Sequence, residues 1–346
     1  MKLKIAFLGF GKSTTRYHLP YVLFRDNMEV TTIYNRKRKP ELEKDYIDYD
    51  IKFTDDLNVV LNDKEIDLVS VCTPLSTHYE LAKKCLEAGK NVLVEKPFTS
   101  TVDEAKELFE LAKEKKLVIM PYQNRRFDSD YLILKEVLKG GDLGEIIELE
   151  SHFDRFRPNE QMSFGKAEDG SFWGLGSHLI DQMISLFGKP EKIYYDVKSI
   201  KDKKAVDNYF QVELFYDGFK AMVKSSYLVK LEYPKFIVHG INGSFIKYGI
   251  DKQEECLKAG MLPVDIGFGL DPVENYGVIS YIDNSGNEKE EVMVTPLGDY
   301  GRIYDNLYEA IINKKEKLVK DEEALLLLEI LEAGIKSENP KVITFK

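Results

Sequence analysis

A chain of 346 residues exceeds what one average hydrophobic core supports, so two domains are expected. Lys plus Arg number 49 against 59 Asp plus Glu, a net charge of −10, and this balance argues against nucleic acid or an anionic membrane surface as the main partner. With 43% hydrophobic and 31% charged residues the composition is that of a soluble globular protein, and the three scattered cysteines (Cys72, Cys85, Cys256) fit a reducing cytoplasm and show no metal-ligand spacing.

Lys2 and Lys4 precede only a short apolar stretch ending at Phe10, with no small-residue cleavage pattern behind it. That pattern predicts a first strand rather than a signal peptide, and no run is long enough to span a membrane. Leu3–Leu8, Glu29–Tyr34, Ile66–Cys72, Asn91–Val94 and Leu117–Met120 read as strands, with helical patterns at Leu75–Ala88 and Val102–Lys115. Runs apolar on both faces and separated by helices predict a parallel sheet with crossover connections. Gly89 is placed to cap the first helix, and Thr101 with Glu104 has capping-box spacing at the start of the second.

After Tyr122 the rhythm changes. Asp128 to Lys139 reads as a helix closed by Gly140-Gly141. Ile146–Phe156, Ile193–Ile200, Phe210–Tyr216, Lys220–Val229, Phe236–His239 and Val278–Ile282 then alternate as strands of a large, mostly antiparallel open sheet. Helices return at Tyr300–Asn313 and Glu322–Ser337. The expected division is therefore a domain of residues 1–122 followed by an α/β domain of residues 123–346. Two long segments without periodicity, Phe156–Ser171 and Ala259–Gly277, have the length of functional lids or mobile connections.

The turn Gly9-Phe10-Gly11 directly follows the first strand, where it allows the close backbone approach that a dinucleotide pyrophosphate needs. Lys12, Ser13 and Thr14 complete the loop, Thr14 replacing the third glycine of the dinucleotide pattern. A phosphate-loop reading of Gly11-Lys12-Ser13-Thr14 fails, because Ala6 stands where that motif needs glycine. At the tip of the second strand an NAD site normally carries an acid for the ribose 2′-hydroxyl. Here Asn35-Arg36-Lys37-Arg38-Lys39 offers none, and Arg36 can clamp a 2′-phosphate, so NADP is preferred, with NAD possible. Thr73 can hydrogen-bond that cofactor and Pro74 stiffens a wall, while His78 at a helix start is a structural residue more often than a catalyst.

The chemistry centres on Glu95-Lys96-Pro97, at the end of the run Asn91–Val94. Ligands of open α/β sheets bind at such strand ends. Burial beside a cationic nicotinamide would lower the lysine's proton affinity and make Lys96 a proton carrier. The alternative is a surface lysine paired with Glu95. His178, in Trp173-Gly174-Leu175-Gly176-Ser177-His178, sits near a helix start with Asp181 three residues on, where it can orient the imidazole. A metal site on His178 and Asp181 lacks further His or Cys ligands. Asn124 can bond the carboxamide or a substrate hydroxyl, while at least one of Arg125 and Arg126 is expected in a domain-interface ion pair. Tyr122, Arg125, Phe156, Trp173 and His178 suggest a pocket that binds hydroxyls and stacks on a ring face.

Together, Gly9-Phe10-Gly11, Thr73-Pro74 with His78, Glu95-Lys96-Pro97 and Gly176 to Asp181 resemble the glucose-fructose oxidoreductase/inositol dehydrogenase (Gfo/Idh/MocA) family. The stretches Gly9–Pro20 and Gln123–Asp128 are similar to its YhhX-type branch. The resemblance covers essentially the whole chain. It implies an N-terminal Rossmann domain, a C-terminal α/β domain whose open sheet mediates homodimers or homotetramers, and a Lys96–Pro97 bond that can be cis. It also implies NAD(P)-dependent oxidation of a secondary alcohol, or the reverse reduction, on sugars, cyclitols and related polyols. Many polyol dehydrogenases of the family carry an Asp four residues before the histidine, where this chain has Gly174. That departure favours a rival, a non-catalytic NAD(P)-binding regulator of the same fold, and the resemblance itself leaves a second, an NAD-dependent glycoside-cleaving enzyme.

Overall fold

A computed structural model describes residues 2–159, 163–336 and 340. The chain forms two compact units, the first of Met1–Asn124, Gln253–Phe268 and Asp299–Leu325, the second of Arg125–Lys252, Gly269–Gly298 and Leu326–Lys346.

The first unit is built on six strands: β1 (Leu3–Leu8), β2 (Met28–Tyr34), β3 (Lys52–Thr54), β4 (Leu68–Val71), β5 (Asn91–Val94) and β6 (Ile119–Pro121). They lie in the order β3-β2-β1-β4-β5-β6 with every pairing parallel. Leu3, Ile5, Phe7 and Leu8 of β1 and all four residues of β4 are buried. Burial on both faces is why these strands read as continuous apolar runs instead of alternating ones. The strand order reverses between β1 and β4, and the carboxyl ends there form the ligand crevice of such sheets. Local signals set the flanking helices. Thr101 accepts a hydrogen bond from the Glu104 amide at 3.2 Å and the Glu104 carboxylate receives the Thr101 amide at 3.2 Å, closing a capping box on the helix Val102–Lys115. Gly89 turns the chain with φ +78° after the helix His78–Glu87.

The second unit carries β7 (Ile146–His152), β8 (Lys192–Lys198), β9 (Tyr209–Tyr216), β10 (Phe219–Ser226), β11 (Phe236–Gly240), β12 (Gly243–Lys247), β13 (Gly277–Ile282) and β14 (Glu288–Met293). Their order is β14-β13-β12-β11-β7-β10-β9-β8, antiparallel except where β7 meets β10. Phe210, Val212 and Leu214 are fully buried while Tyr209, Gln211 and Glu213 between them are not, so one face of the sheet is packed and the other is open. The helix Ser177–Phe187 is apolar through Leu179, Ile180, Met183 and Ile184, all buried.

The expected fold class is thus observed, with differences that have physical causes. A single cut near residue 122 does not separate the units, because Gln253–Phe268 and Asp299–Leu325 return to the first. Arg25 binds Asp299 at 2.7 Å and Asp305 at 2.8 Å, and Gln253 accepts the Tyr21 hydroxyl at 2.8 Å. Those partners are far apart in the chain and leave no local signal. Three strands are absent from the reading of the sequence. β3 and β12 are short, and β14 is an edge strand of sequence EKEEVM, charged as exposed edges tend to be. The last helix is Asp321–Lys336, and Ser337 lies outside the described residues. No helix of the described residues is long and apolar enough to cross a membrane.

Candidate active site

In the first unit the glycine turn leaves β1 at the strand-order reversal. Gly9 has φ +106°, and a Cβ added there would lie 2.4 Å from the Cys72 carbonyl oxygen. Only glycine fits, which keeps the backbone open to a pyrophosphate. A Cβ on Gly11 would meet nothing within 4 Å, so the second glycine faces open space. Gly9→Ala is expected to cost on the order of 2 kcal/mol or more in urea denaturation, from positive φ and backbone clash together. An unchanged midpoint would show that the turn relaxes around the methyl group.

The rest of the loop is tied internally. Thr14 is buried and its hydroxyl donates to the Gly9 carbonyl at 2.7 Å. The Phe10 amide donates to the Asn35 side-chain oxygen at 3.0 Å, and the Phe10 ring packs against Phe53 and Tyr46. Phe10 and Asn35, expected at the cofactor, therefore brace the turn against the loop after β2. Lys12 stays exposed. In that second loop Arg38 pairs with Glu43 and the Lys39 ammonium donates to the Phe10 carbonyl at 2.5 Å. Arg36 and Lys37 are exposed and their side chains have no polar partner among the described residues, so these two of the loop's four cations are available.

Thr73 is half-buried and Pro74 exposed where the chain leaves β4. His78 is buried, with Nε2 2.7 Å from the Thr73 carbonyl and Nδ1 2.9 Å from the Pro97 carbonyl. Both ring nitrogens face backbone oxygens, so this histidine clamps the Thr73–Pro74 turn to the loop carrying Lys96. That bracing is the structural role expected of a histidine at a helix start.

Lys96 follows β5, half-buried, and its bond to Pro97 is cis. Glu95 beside it accepts the Lys96 amide at 3.0 Å, the Ser13 hydroxyl, and a contact from His18 Nε2 at 2.9 Å. Burial pushes the Glu95 carboxyl up, but the His18 hydrogen bond and charge, with Ser13 and the Lys96 charge, outweigh it and bring it down to about 2. Glu95 is thus a carboxylate whose field acts on Lys96. Tyr122, expected at the substrate, is instead buried in the packing of this unit. Its ring stacks on His18 at 4.1 Å, and its hydroxyl donates to the Tyr17 carbonyl at 2.5 Å. Asn124 is buried at the start of the 3-10 turn Asn124–Phe127.

In the second unit His178 is buried as the second residue of the helix Ser177–Phe187, after the π-helical segment Phe172–Gly176. The buried Trp173 indole N–H has no acceptor among the described residues, an orphan donor of the kind that a ligand or water satisfies. Arg125 donates to Asp128 at 3.0 Å and lies over the Phe153 ring at 4.9 Å. Arg126 is ion-paired as well, with Asp181: Nε and Nη2 each donate to one carboxylate oxygen at 2.8 Å, and all four partners belong to the second unit, not to a domain interface as expected. Both oxygens of Asp181 are engaged there, so its main partner is this guanidinium. The described residues hold no cluster of His, Cys, Asp or Glu able to bind a metal.

The sequence reading missed His18, Tyr304 and Ser70, which join Glu95 in a buried polar chain. Only His18 left a trace, as a polar residue in the apolar stretch Tyr17–Val22.

Comparison with known proteins bears on the whole chain. Residues 3–123 match the model for the NAD-binding Rossmann fold of the Gfo/Idh/MocA oxidoreductases, and residues 135–344 that for their C-terminal alpha/beta domain. The chain is 53% identical to the uncharacterized oxidoreductase YhhX of Escherichia coli over 99% of both, and a crystal structure of YhhX superposes with a TM-score of 0.96 over 99% of each chain. An oxidoreductase structure from Bacillus cereus, 51% identical, gives 0.97 over 100% of this chain and 99% of that one. The scyllo-inositol 2-dehydrogenase (NADP(+)) IolW of Bacillus subtilis is 34% identical over 98% of this chain and 94% of its own. With its glycine turn, parallel sheet and strand-end lysine, the chain belongs to the Gfo/Idh/MocA family of nicotinamide-dependent oxidoreductases, related to inositol dehydrogenases.

Proposed function

We propose that this protein is an NADP(H)-preferring oxidoreductase that interconverts a secondary alcohol and a ketone on a sugar- or cyclitol-like substrate. One observation carries the reading: Ser13 of the glycine turn hydrogen-bonds Glu95, the residue before Lys96, so the candidate phosphate cradle and the lysine lie together at the carboxyl ends of one parallel sheet. Gly9, Gly11 and Lys12 would hold the pyrophosphate, Arg36 the 2′-phosphate, and Thr73, Pro74 and Asn124 the nicotinamide end. When bound, that cofactor supplies or accepts the hydride. Lys96 takes the hydroxyl proton as the alcohol is oxidised and returns it as the ketone is reduced. His178 orients the reacting hydroxyl or shares its proton, with Arg125 and the Trp173 indole among the substrate-facing groups. The relationship to IolW supports both the cyclitol class and NADP.

Three further expectations complete the proposal. The substrate is a small polyol, the open face of the eight-stranded sheet pairs with a second copy to give a homodimer or homotetramer, and the three free cysteines suit a cytoplasmic protein. A second reading, a non-catalytic NAD(P)-binding regulator, is favoured by Gly174. A Cβ at that position would meet nothing within 4 Å, so packing does not forbid the acid that the resemblance to polyol dehydrogenases leads one to expect there.

Calorimetric titration with NADPH and, separately, NADH tests the assignment. Tighter binding of NADPH is expected, and Arg36→Ala should weaken it by about 10- to 100-fold, the worth of a hydrogen-bonded charge pair, while leaving NADH binding unchanged. Binding of neither nucleotide would overturn the reading.

A further inference from the structure

We propose that His18 is a positioning residue: it locks Glu95 between the glycine turn and Lys96, and thereby sets how far acid can go before NADPH binding fails. The inference rests on the cofactor reading above and deepens it.

His18 closes the π-helical turn Thr14–His18 and is fully buried. Its ring is held on every side. Nε2 lies 2.9 Å from Glu95 Oε1 and Nδ1 lies 2.6 Å from the Tyr304 hydroxyl. Tyr122 stacks on one face at 4.1 Å, and Phe7 meets the ring edge-on at 5.8 Å. The Tyr304 hydroxyl continues to Ser70 Oγ at 3.1 Å. This chain keeps a donor aimed at Glu95 in either protonation state of the imidazole. With a neutral ring, Nε2–H donates to Glu95, the Tyr304 hydroxyl donates to Nδ1, and the Ser70 hydroxyl donates to Tyr304. With a charged ring, both nitrogens donate, and the Tyr304 hydroxyl turns to Ser70.

Glu95 is where the pieces meet. One oxygen receives the Ser13 hydroxyl from the glycine turn together with His18, and the other receives the Lys96 amide at 3.0 Å. The titratable groups facing it are His18, Lys96, Cys72 beyond β4, Tyr122 beyond β6 and Tyr304 on the helix Arg302–Ile312. Burial, with the Glu95 charge adding to it, pushes the Cys72 thiol and both phenols far up, so they stay neutral. Of this set, His18 and Lys96 are the side chains able to carry positive charge against a buried carboxylate. Removing His18 leaves burial, the largest influence on Glu95, much less opposed. The carboxyl then protonates at higher pH, its hold on Ser13 and Lys96 weakens, and the turn that carries the pyrophosphate loses its anchor.

The test is NADPH affinity, by fluorescence titration of the full-length protein across roughly pH 5 to 8, in the wild type, His18→Leu and His18→Gln. Wild-type affinity is expected to hold to the acid end. His18→Leu should bind at least about 5-fold more weakly at neutral pH and lose affinity towards the acid end, with a midpoint brought inside that range. His18→Gln, whose side-chain amide can donate to Glu95 in place of Nε2–H, should recover most of the affinity and much of the profile. In a Glu95→Gln background, His18→Leu should change little, since the group it acts on is gone. A merely structural histidine would lower thermal stability without moving the midpoint. Affinity in His18→Leu that holds to the acid end as in the wild type would therefore overturn the proposal. If that variant does not fold, Tyr304→Phe, which takes the hydroxyl from both Nδ1 and Ser70 and leaves the imidazole in place, should weaken acid-end affinity in the same direction by less, and a wild-type profile there would count equally against the proposal. Failure of the wild type itself to bind NADPH would instead strike the cofactor reading.

Discussion

Lys96→Ala is expected to lower turnover by about 10²- to 10⁴-fold while changing NADPH affinity by less than about threefold, because it removes the proposed proton carrier and spares the proposed phosphate cradle. The lysine lies half-buried at the carboxyl end of β5, two peptide units from the strand and next to an anchored carboxylate. The glycine turn and Arg36 stand on other loops and keep their geometry without it. Lys96→Arg sharpens the test. Arginine keeps the positive charge beside Glu95 but does not give up its proton in proteins, so it should be nearly as inactive as alanine. The measurement is steady-state oxidation across a panel of polyols, followed by reduced-nicotinamide absorbance, with calorimetric NADPH binding alongside. Retained activity in both variants would show that another group moves the proton. A parallel loss of cofactor binding would show that Lys96 holds NADPH instead.

The parts of this site legible in the sequence are those specified over a few residues. Gly9 could be recognised because a positive-φ turn against a neighbouring carbonyl tolerates only glycine, and the capping box on Val102–Lys115 because both of its halves lie within four residues. The lysine could be placed because β5 is apolar on both faces and stops abruptly at Glu95. What stayed hidden depends on distant partners. His18 and Tyr304 are 286 residues apart in the chain, and nothing in the spacing of either announces the other. The partners of His78, read as a structural residue at a helix start, and of Tyr122, read as a pocket residue, were equally hidden. Their real partners are the carbonyls of Thr73, Pro97 and Tyr17, which a sequence does not display. Charged edge strands such as β14 escape for the opposite reason, since keeping other chains from pairing there requires erasing the apolar signal.

The second large effect is one of stability, and it decides what Asp181 does. Arg126 and Asp181 are both almost fully buried, 4% and 2% exposed at the side chain, and meet through two hydrogen bonds of 2.8 Å. Asp181→Ala would leave a guanidinium in the interior with its bidentate acceptor gone, a loss of about 3–5 kcal/mol. Replacing both partners with apolar residues, Arg126→Met with Asp181→Leu, should restore most of that, because the cost of an isolated buried charge disappears with the charge. Urea midpoints for the two single variants and the double variant give the coupling directly. The same aspartate sits one helical turn beyond His178, where an acid can orient an imidazole for substrate. The two roles separate cleanly in the double variant. If Asp181 serves mainly as the counter-charge of Arg126, the refolded double variant keeps kcat and KM near wild type. If it steers His178 as well, stability returns but kcat does not.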